Sequence, residues 1–306
     1  MRSSVLIVLS LTLLIAKEPI TPLKLPTNIN TNQAALGEKL FFDTRLSEDN
    51  TIACATCHIL EDGGDDNLPF SIGIHKQVGD INAPTILNAV NNFRQFWDGR
   101  AKDLQEQAIG PIENPIEMGF NFPDLIIKLR KTEYNSQFKA LYPQGITKMS
   151  ITHAIAEYEK TLITPNSPFD QYLLGNDNAI NAKAKKGYQL FKTKGCISCH
   201  HGVNIGGNLY SKFGVVQSAK VATLGRFNIT HKERDKYYFK VPSLRNVART
   251  APYFHDGRTP DLQEAIKVMA QLQLGRYFTQ EEVEAIEAFL ISLDGDLPKS
   301  RVIYAP

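Results

Sequence analysis

The chain has 306 residues, of which 42% are hydrophobic and 16 are proline, and its formal net charge at pH 7 is only +2. A chain of this length and composition buries sizeable cores and forms about two domains. This excludes a single small module held together by disulfides. The sequence therefore predicts a soluble globular protein.

Residues 1–16 have the pattern of a secretory signal. Arg2 precedes an apolar run from Val5 to Ala16, which is too short to span a bilayer, and a charged stretch with proline follows. Leu14 stands where a small residue usually precedes the cleavage site, so an N-terminal anchor that is not removed is the alternative. Both interpretations predict export.

Two C-x-x-C-H runs contain all four cysteines: residues 54–58 read CATCH and residues 196–200 read CISCH. In this pattern the thiols form thioethers with haem vinyl groups and the histidine ligates the iron. Disulfides or a zinc site would give no reason for a histidine directly after each second cysteine. No strand-helix-strand pattern suggests a thioredoxin-like motif. The predicted attachment residues are Cys54, Cys57, His58, Cys196, Cys199 and His200.

The compartment follows from these two observations together. Covalent haem attachment needs reduced cysteines delivered outside the cytoplasm, so two such motifs behind an export signal predict the bacterial periplasm. Nucleic acid is excluded as a partner, because export places the chain in the wrong compartment.

An internal repeat surrounds the two motifs. GEKLF (37–41) precedes the first motif and GYQLF (187–191) precedes the second, each as part of an amphipathic helix. Further matched blocks follow each motif with the same spacing. They are PTILN (84–88), FWDGR (96–100) and Asp103-Leu104 in the first copy, and PSLRN (242–246), FHDGR (254–258) and Asp261-Leu262 in the second.

The repeat predicts two homologous haem domains, 30–165 and 175–300, joined near residues 164–177, where prolines and glycine mark a connection. Helices are predicted over Ile151–Leu162, over 262–270, and over Glu281–Leu293, where a capping box at 279–282 opens the helix. Strand signals are few and short. The predicted fold class is all-α, with two cytochrome-c-like domains.

The axial ligands of the two irons distinguish an electron carrier from an enzyme. Met269 is the one methionine of the second haem domain after its motif, and a His200/Met269 haem would be closed and comparatively high in potential. Core packing is the alternative role of Met269, and His255 is the competing ligand. His75 lies in a glycine-punctuated stretch, 61–80, so it could reach the first iron or leave it.

Glu117 lies in a proline-ordered apolar loop, NPIEM (114–118), where desolvation would raise its pKa and suit it to proton transfer. A surface loop glutamate is the alternative interpretation.

Basic residues are concentrated in one part of the chain. Residues 181–260 contain fifteen Lys or Arg against three Asp or Glu. One interpretation is a solvated surface that also supplies counter-ions for haem propionates. The other is a docking face for an acidic electron donor, with steering that weakens in high salt.

Over essentially its whole length after residue 16, the chain closely resembles the bacterial dihaem cytochrome c peroxidases, a relationship that includes the dihaem enzyme completing tryptophan tryptophylquinone cofactors. The resemblance depends on several motifs together. Besides the two C-x-x-C-H runs, they are GIH (73–75), NAPT (82–85), QFWDGR (95–100), NPIEMG (114–119), TAPYFHDG (250–257), and Met269 followed by QLG (273–275).

The resemblance implies a role for each matching residue. The haem on Cys54 and Cys57 would be the peroxidatic site, capped by His75 in the oxidised resting enzyme until the second haem takes an electron. Glu117 would then move a proton between the two oxygens of hydrogen peroxide, while Gln107 positions it. Trp97, the single tryptophan, would relay electrons between the haems; a buried aromatic anchor is an alternative role compatible with this.

The resemblance also implies a calcium ion at the domain junction, held by Asn82 and the backbone carbonyls of Thr250 and Pro252. The electron donor would be a small cytochrome c or copper protein, with quinol as a further alternative. Dimerisation is usual in the family, so a homodimer is expected, although the sequence reveals no interface.

Two other functions remain as alternatives. A plain dihaem electron carrier would need both irons closed and would have no use for Glu117 or Gln107. The cofactor-maturing relatives carry a tyrosine at the position of Met269, so the methionine argues against that function.

Overall fold

The computed structural model describes residues 18–219, 221 and 223–298, and the predicted signal at 1–16 lies outside them. Twelve α-helices and one antiparallel pair of strands occur within this part of the chain. The helices are α1 Thr31–Phe41, α2 Cys54–Cys57, α3 Leu104–Gln107, α4 Ile109–Glu113, α5 Phe122–Arg130, α6 Tyr134–Leu141, α7 Lys148–Glu159, α8 Pro168–Leu173, α9 Ala182–Lys194, α10 Phe227–Thr230, α11 Leu262–Leu274 and α12 Gln280–Ile291. The strands are β1 Tyr210–Lys212 and β2 Tyr238–Lys240.

Two helix pairs, α1 with α7 and α9 with α12, pack in the same way. A Cβ atom on Gly37 would lie 1.8 Å from the carbonyl oxygen of Ala154, and a Cβ atom on Gly187 would lie 1.8 Å from that of Ala285. Only glycine permits this approach of one backbone to another. The glycines of the two predicted matched segments therefore occupy similar packing positions, and the repeat itself stays a prediction.

The predicted helices are present, with shifted ends. Helix α12 starts at the predicted capping box, in which Thr279 and Glu282 bond each other's backbone amides. Helix α7 starts before the predicted Ile151, because Thr147 and Ser150 form a capping box one turn before the apolar stripe, and it ends at Glu159 instead of Leu162. Helix α11 continues past 270 to Leu274, where Gly275 takes a positive φ of 62°.

The predicted connection at 164–177 contains a short helix, α8, which begins with a proline after the N-cap Ser167. Phe169 in this helix is fully buried, and its ring contacts Phe289 edge-on at a centroid distance of 4.9 Å. The connection is therefore packed against the second half of the chain rather than extended as a loop.

Two main clusters of buried apolar residues form the cores, and the fold class is all-α, as predicted. The domain limits 30–165 and 175–300 stay predictions, and residues 299 and 300 lie outside the described part. The first core includes Leu36, Leu40, Leu46, Ile112, Leu125, Leu129, Phe138, Ile151 and Ile155. The second includes Ile20, Phe169, Ile180, Tyr188, Phe191, Val283, Ile286, Phe289, Leu290 and Leu293.

A buried hydrogen-bond cluster joins the two halves at Thr164. The Thr164 hydroxyl accepts hydrogen bonds from the side-chain amides of Asn88 at 2.8 Å and Asn246 at 2.9 Å. The Thr164 amide in turn donates to Asn88 Oδ1 at 2.9 Å. All three residues are completely inaccessible to solvent. Each asparagine ends one of the matched PTILN and PSLRN segments, so the connection fixes these segments relative to each other.

Within the described residues, no helix is both long and apolar enough to cross a membrane.

Candidate functional site

The first C-x-x-C-H run forms the short helix α2, with His58 directly after it. Both thiols are free. His58 Nδ1 lies 2.9 Å from the carbonyl oxygen of Gly64, so this nitrogen donates and Nε2 is left to bind a metal. Burial lowers the pKa of His58, which keeps the ring in the neutral form that ligates iron. These residues fit a covalently attached haem.

The second run forms a 3₁₀ turn at Cys196–Ser198, followed by His200. Burial lowers the pKa of His200 to about 4, so this ring is also neutral. Gly206 has a positive φ of 125°, and a Cβ atom there would lie 2.1 Å from the carbonyl oxygen of Pro242 and 3.4 Å from His200 Nδ1. A glycine is therefore needed for the loop that packs on the imidazole.

A cavity of about 260 Å³ opens beside Cys196, Cys199 and His200. Its walls are mostly apolar, which suits the porphyrin of a haem. Met269 on α11 and His255 both line it, so both candidate axial ligands face the same space. The cavity continues to residues of the first half of the chain, including Trp97 and Asn82.

Trp97 is half-buried between the two halves of the chain. Its indole Nε1 donates to the carbonyl oxygen of Asn82 at 2.9 Å, and its own carbonyl oxygen accepts from the Lys240 amide at 2.7 Å. Its ring meets the edge of the His255 ring at a centroid distance of 6.3 Å. His255 in turn stacks on Phe239 at 4.4 Å. The position suits the predicted relay and also makes Trp97 a structural anchor.

His75 has a side chain that is 60% exposed. Its Nδ1 lies 3.7 Å from Asp49 Oδ2, and its Nε2 lies 4.0 Å from Glu48 Oε2. Both His75 and Lys76 have positive φ, 54° and 59°, which non-glycine residues rarely adopt. The segment is therefore held in a constrained turn in which the histidine contacts acidic side chains.

Glu117 is half-buried in the loop after α4. Burial raises its pKa, against the opposing effects of a hydrogen bond from Asn114 Nδ2, 2.6 Å long, and the nearby charge of Arg100. Gln107 ends α3 and is also half-buried, and within the described residues no hydrogen bond joins it to Glu117. The loop supplies a carboxyl that holds its proton at higher pH than an exposed glutamate.

The predicted calcium ligands come from both halves of the chain. Asn82, Thr250 and Pro252 all line the cavity. Asn82 Nδ2 donates to the carbonyl oxygen of Leu68 at 2.9 Å, which leaves Oδ1 for a cation. Within the described residues, neither the Thr250 nor the Pro252 carbonyl oxygen accepts a hydrogen bond. Three uncommitted oxygens fit a hard cation such as calcium.

Comparison with known proteins agrees with two haem c domains. The model for di-haem cytochrome c peroxidases matches residues 31–178, and the cytochrome c model matches residues 184–294. Cytochrome c551 peroxidase of Nitrosomonas europaea is 46% identical over 95% of this chain and 88% of its own length. The chain belongs to the dihaem cytochrome c peroxidase family. This is a family of haem-dependent peroxidases, and the two matched domains carry one haem c each.

A further relative, cytochrome c peroxidase Ccp of Escherichia coli, is 50% identical over 91% of this chain. The chain spans 61% of the length of that relative. Among solved structures, a MauG-like protein associated with microbial copper homeostasis matches with a TM-score of 0.78 at 24% identity, covering 90% of this chain and 93% of its own. This likeness supports the all-α fold.

Three ionisable residues of this chain are buried although the sequence analysis did not predict it. Lys240 is 5% exposed and Asp65 is 1% exposed, and both line the cavity. Glu159 ends α7 with 5% exposure, and its Oε2 atom has no hydrogen-bond partner in the described structure. Within the described residues, no group of three or more His, Cys, Asp or Glu forms a metal cluster. Nothing local in the sequence marks these three residues as buried.

Proposed function

We propose that this chain is a periplasmic peroxidase that reduces hydrogen peroxide to water, with electrons entering through the C-terminal haem from a small redox protein. The reaction consumes two electrons and two protons for each peroxide. The observation that carries the proposal is Glu117, a half-buried carboxyl with a raised pKa in the loop that contacts the His75 segment. An electron carrier has no need of such a group.

In this proposal, Cys54, Cys57 and His58 would hold a haem that would supply electrons to peroxide, and the protein moves the proton. Glu117 takes the proton from the oxygen nearer the iron and returns it to the departing oxygen. Gln107 orients the peroxide by hydrogen bonding. His75 would ligate the iron of this haem in the resting enzyme and would be displaced before peroxide binds. Asp49 and Glu48, whose carboxylate oxygens lie 3.7 and 4.0 Å from the His75 ring nitrogens, would hold the displaced histidine.

The C-terminal haem is proposed as the entry point for electrons. His200 and Met269 would close its coordination, which suits electron storage. Trp97 lies between the two halves and is proposed as the relay. A donor of small size, a cytochrome c or copper protein, would dock near this haem.

The basic stretch 181–260 contributes less free charge than its sequence suggests. Four lysines of α9 form ion pairs with Glu18 or with acidic residues of the α12 region. These lysines are Lys183, Lys186, Lys192 and Lys194. We therefore place a docking face for an acidic donor on other basic residues of the stretch. Its steering would weaken as salt screens the charges.

Calcium is proposed at Asn82, Thr250 and Pro252, with Asp65 as the carboxylate that balances its charge. The Asp65 Oδ1 atom is buried without a hydrogen-bond partner within the described structure, and burial raises the pKa of this carboxyl to about 7. A divalent cation in the adjoining space would favour the ionised form. Periplasmic location rests on the predicted signal at 1–16, and a homodimer rests on the family resemblance.

The proposal is tested on the haem-loaded protein with optical and EPR spectra, first fully oxidised and then after one electron per molecule with calcium present. We expect one haem to become five-coordinate and high-spin on half-reduction, followed by peroxide turnover with a reduced cytochrome c. If both haems remain six-coordinate and peroxide is not consumed, the chain is an electron carrier and Glu117 is a loop carboxyl.

A further inference from the structure

Lys240 places a buried ammonium group beside the C-terminal haem site. It ends β2, is 5% exposed, and lines the cavity that opens at Cys196 and Cys199. Its backbone amide donates to the Trp97 carbonyl oxygen at 2.7 Å, which fixes the strand against the residue between the two halves. A lysine is rarely this buried without a charged partner.

The ammonium group has no partner within the described protein. No hydrogen bond or ion pair joins its Nζ atom to a described residue, although Asp65 lines the same cavity. Burial alone lowers the pKa of Lys240 to about 8, so the group is still mostly charged at neutral pH. A buried charge without a counter-ion is strongly unfavourable. The missing negative charge must therefore come from whatever fills the cavity.

A haem attached to Cys196 and Cys199 would bring two propionate carboxylates with it into the cavity. We propose that the Lys240 ammonium is the counter-ion of a propionate of this haem and thereby raises the haem's reduction potential. The inference rests on the two haem c groups that family membership establishes, and it does not depend on peroxidase activity. Lys240 is a positioning and tuning residue, because it acts on the iron through the propionate.

The sign of the effect follows from electrostatics. An uncompensated propionate carries negative charge close to the iron and stabilises the ferric form. A paired propionate does so less, because the ammonium cancels its field. Since one charge acts across a partly buried path, we expect the ratio of ferrous to ferric haem at a fixed potential to change by about tenfold when the ammonium is removed, equivalent to 59 mV for a one-electron couple.

The test compares three variants of the haem-loaded protein: Lys240→Met, Lys240→Arg and the matched control Lys212→Met on the neighbouring strand β1. Each haem is titrated by spectroelectrochemistry at pH 7, with EPR to separate the two. Resonance Raman spectra report the propionate bending mode. We expect Lys240→Met to lower the reduction potential of the C-terminal haem, so that the ratio of ferrous to ferric haem at a fixed potential falls about tenfold. We also expect the propionate bending mode of this haem to shift.

Lys240→Arg retains the charge, so the ratio of ferrous to ferric C-terminal haem at a fixed potential should stay within about twofold of the original. Lys212→Met should change the potential of neither haem. The proposal is overturned if Lys240→Met leaves both the potential and the propionate mode of the C-terminal haem unchanged, or if only the other haem responds. Should Lys240→Met fail to load haem, Lys240→Gln replaces it, judged by the same two readouts. These outcomes are independent of peroxide turnover, so a failed peroxidase assay leaves the inference intact.

Discussion

The backbone amide of Ile74 donates a hydrogen bond to the carbonyl oxygen of Glu117 over 2.9 Å. The residue before His75 is therefore fastened to the residue proposed as the proton carrier. Gly73 lies at the same contact, where a Cβ atom would be 2.0 Å from the Ile116 carbonyl oxygen. If the His75 segment moves, either this hydrogen bond breaks or the Glu117 loop moves with the segment.

The first prediction concerns Gly73→Ala. The added methyl group cannot fit against Ile116, so the His75 segment should separate from the Glu117 loop. We expect a changed high-spin fraction in the EPR spectrum of the half-reduced enzyme and at least a tenfold loss of peroxide turnover. Gly79→Ala is the control, because its Cβ atom would meet Ser71 at an ordinary 3.5 Å. Equal spectra for both variants would contradict the fastening.

Glu117→Gln removes the proposed proton carrier while keeping its shape. We expect turnover to fall by about 10²- to 10⁴-fold, the usual contribution of a general acid-base group. Glu113→Gln, an exposed side chain that pairs with Lys148, is the control. A loss below threefold in Glu117→Gln would show that another group moves the proton.

The pH profile gives an independent check on Glu117. Burial raises its pKa, and the carboxylate form needed to accept a proton disappears as pH falls through that raised value. An ordinary glutamate has a pKa of about 4.3. The fall in turnover on the acidic side of the profile should therefore lie at a higher pH than this value. In Glu117→Gln this limb should vanish from the residual rate. Rates measured from pH 4 to pH 8 in both proteins would establish this.

Glu159 should make stability depend on pH. Burial raises its pKa from an ordinary 4.5 to about 8, so its contribution is fully present below about 4.5 and is lost as pH rises to about 8. The free energy of unfolding of Glu159→Gln, relative to the unmodified protein, should rise by roughly 1.4 kcal/mol per pH unit across this window. Denaturant titrations at several pH values measure this difference, and a constant difference would refute it.

Glu157, on the same helix, gives a control of opposite sign. Burial acts to raise its pKa, but the hydrogen bonds from Lys160 and from the Asn30 amide outweigh this and lower it. Its contribution is therefore present above the ordinary pKa and is lost as pH falls. Glu157→Gln should weaken the protein at neutral pH and approach the unmodified protein in acid.

The proposed calcium site is tested by Asp65→Asn. Loss of a buried carboxylate that balances a divalent cation should weaken calcium binding about tenfold in calorimetric titration of the haem-loaded protein. Asp62→Asn, an exposed neighbour, is the control. If Asp65→Asn binds calcium with unchanged affinity, the Asp65 carboxylate does not contribute to calcium binding.

Much of the site could be predicted because its signals are local. Two C-x-x-C-H runs, the glycines of α1 and α9, and the capping box of α12 are each readable within a few residues. Lys240 and Asp65 were missed because their burial depends on segments distant in sequence, and charged residues are ordinarily exposed. His75 illustrates a different limit. The sequence indicated a mobile ligand, but its contact with Asp49 depends on how two loops meet.

The hydrogen bonds of the Thr164 cluster could also not be predicted from the sequence. Asn88 and Asn246 lie 76 and 82 positions from the threonine. Thr164→Val would leave two buried amide donors without their acceptor, so we expect the unfolding free energy to fall by roughly 2–6 kcal/mol. Thr161→Val, at an exposed position in the preceding turn, should cost less than about 1.5 kcal/mol, its one hydrogen bond to Tyr158 being easily replaced by water. If the two variants lose equal unfolding free energy, the buried cluster stabilises the protein no more than a single exposed hydrogen bond does.

The same hydroxyl constrains how such proteins can be recombined. Since one side chain satisfies an asparagine from each half, neither half is a self-contained exchangeable part at this junction. A chimera that takes its N-terminal half from one relative and its C-terminal half from another must transfer Asn88, Thr164 and Asn246 as a matched set. A crossover point placed inside 164–177 without regard to this triplet would leave a buried polar group unsatisfied at the seam.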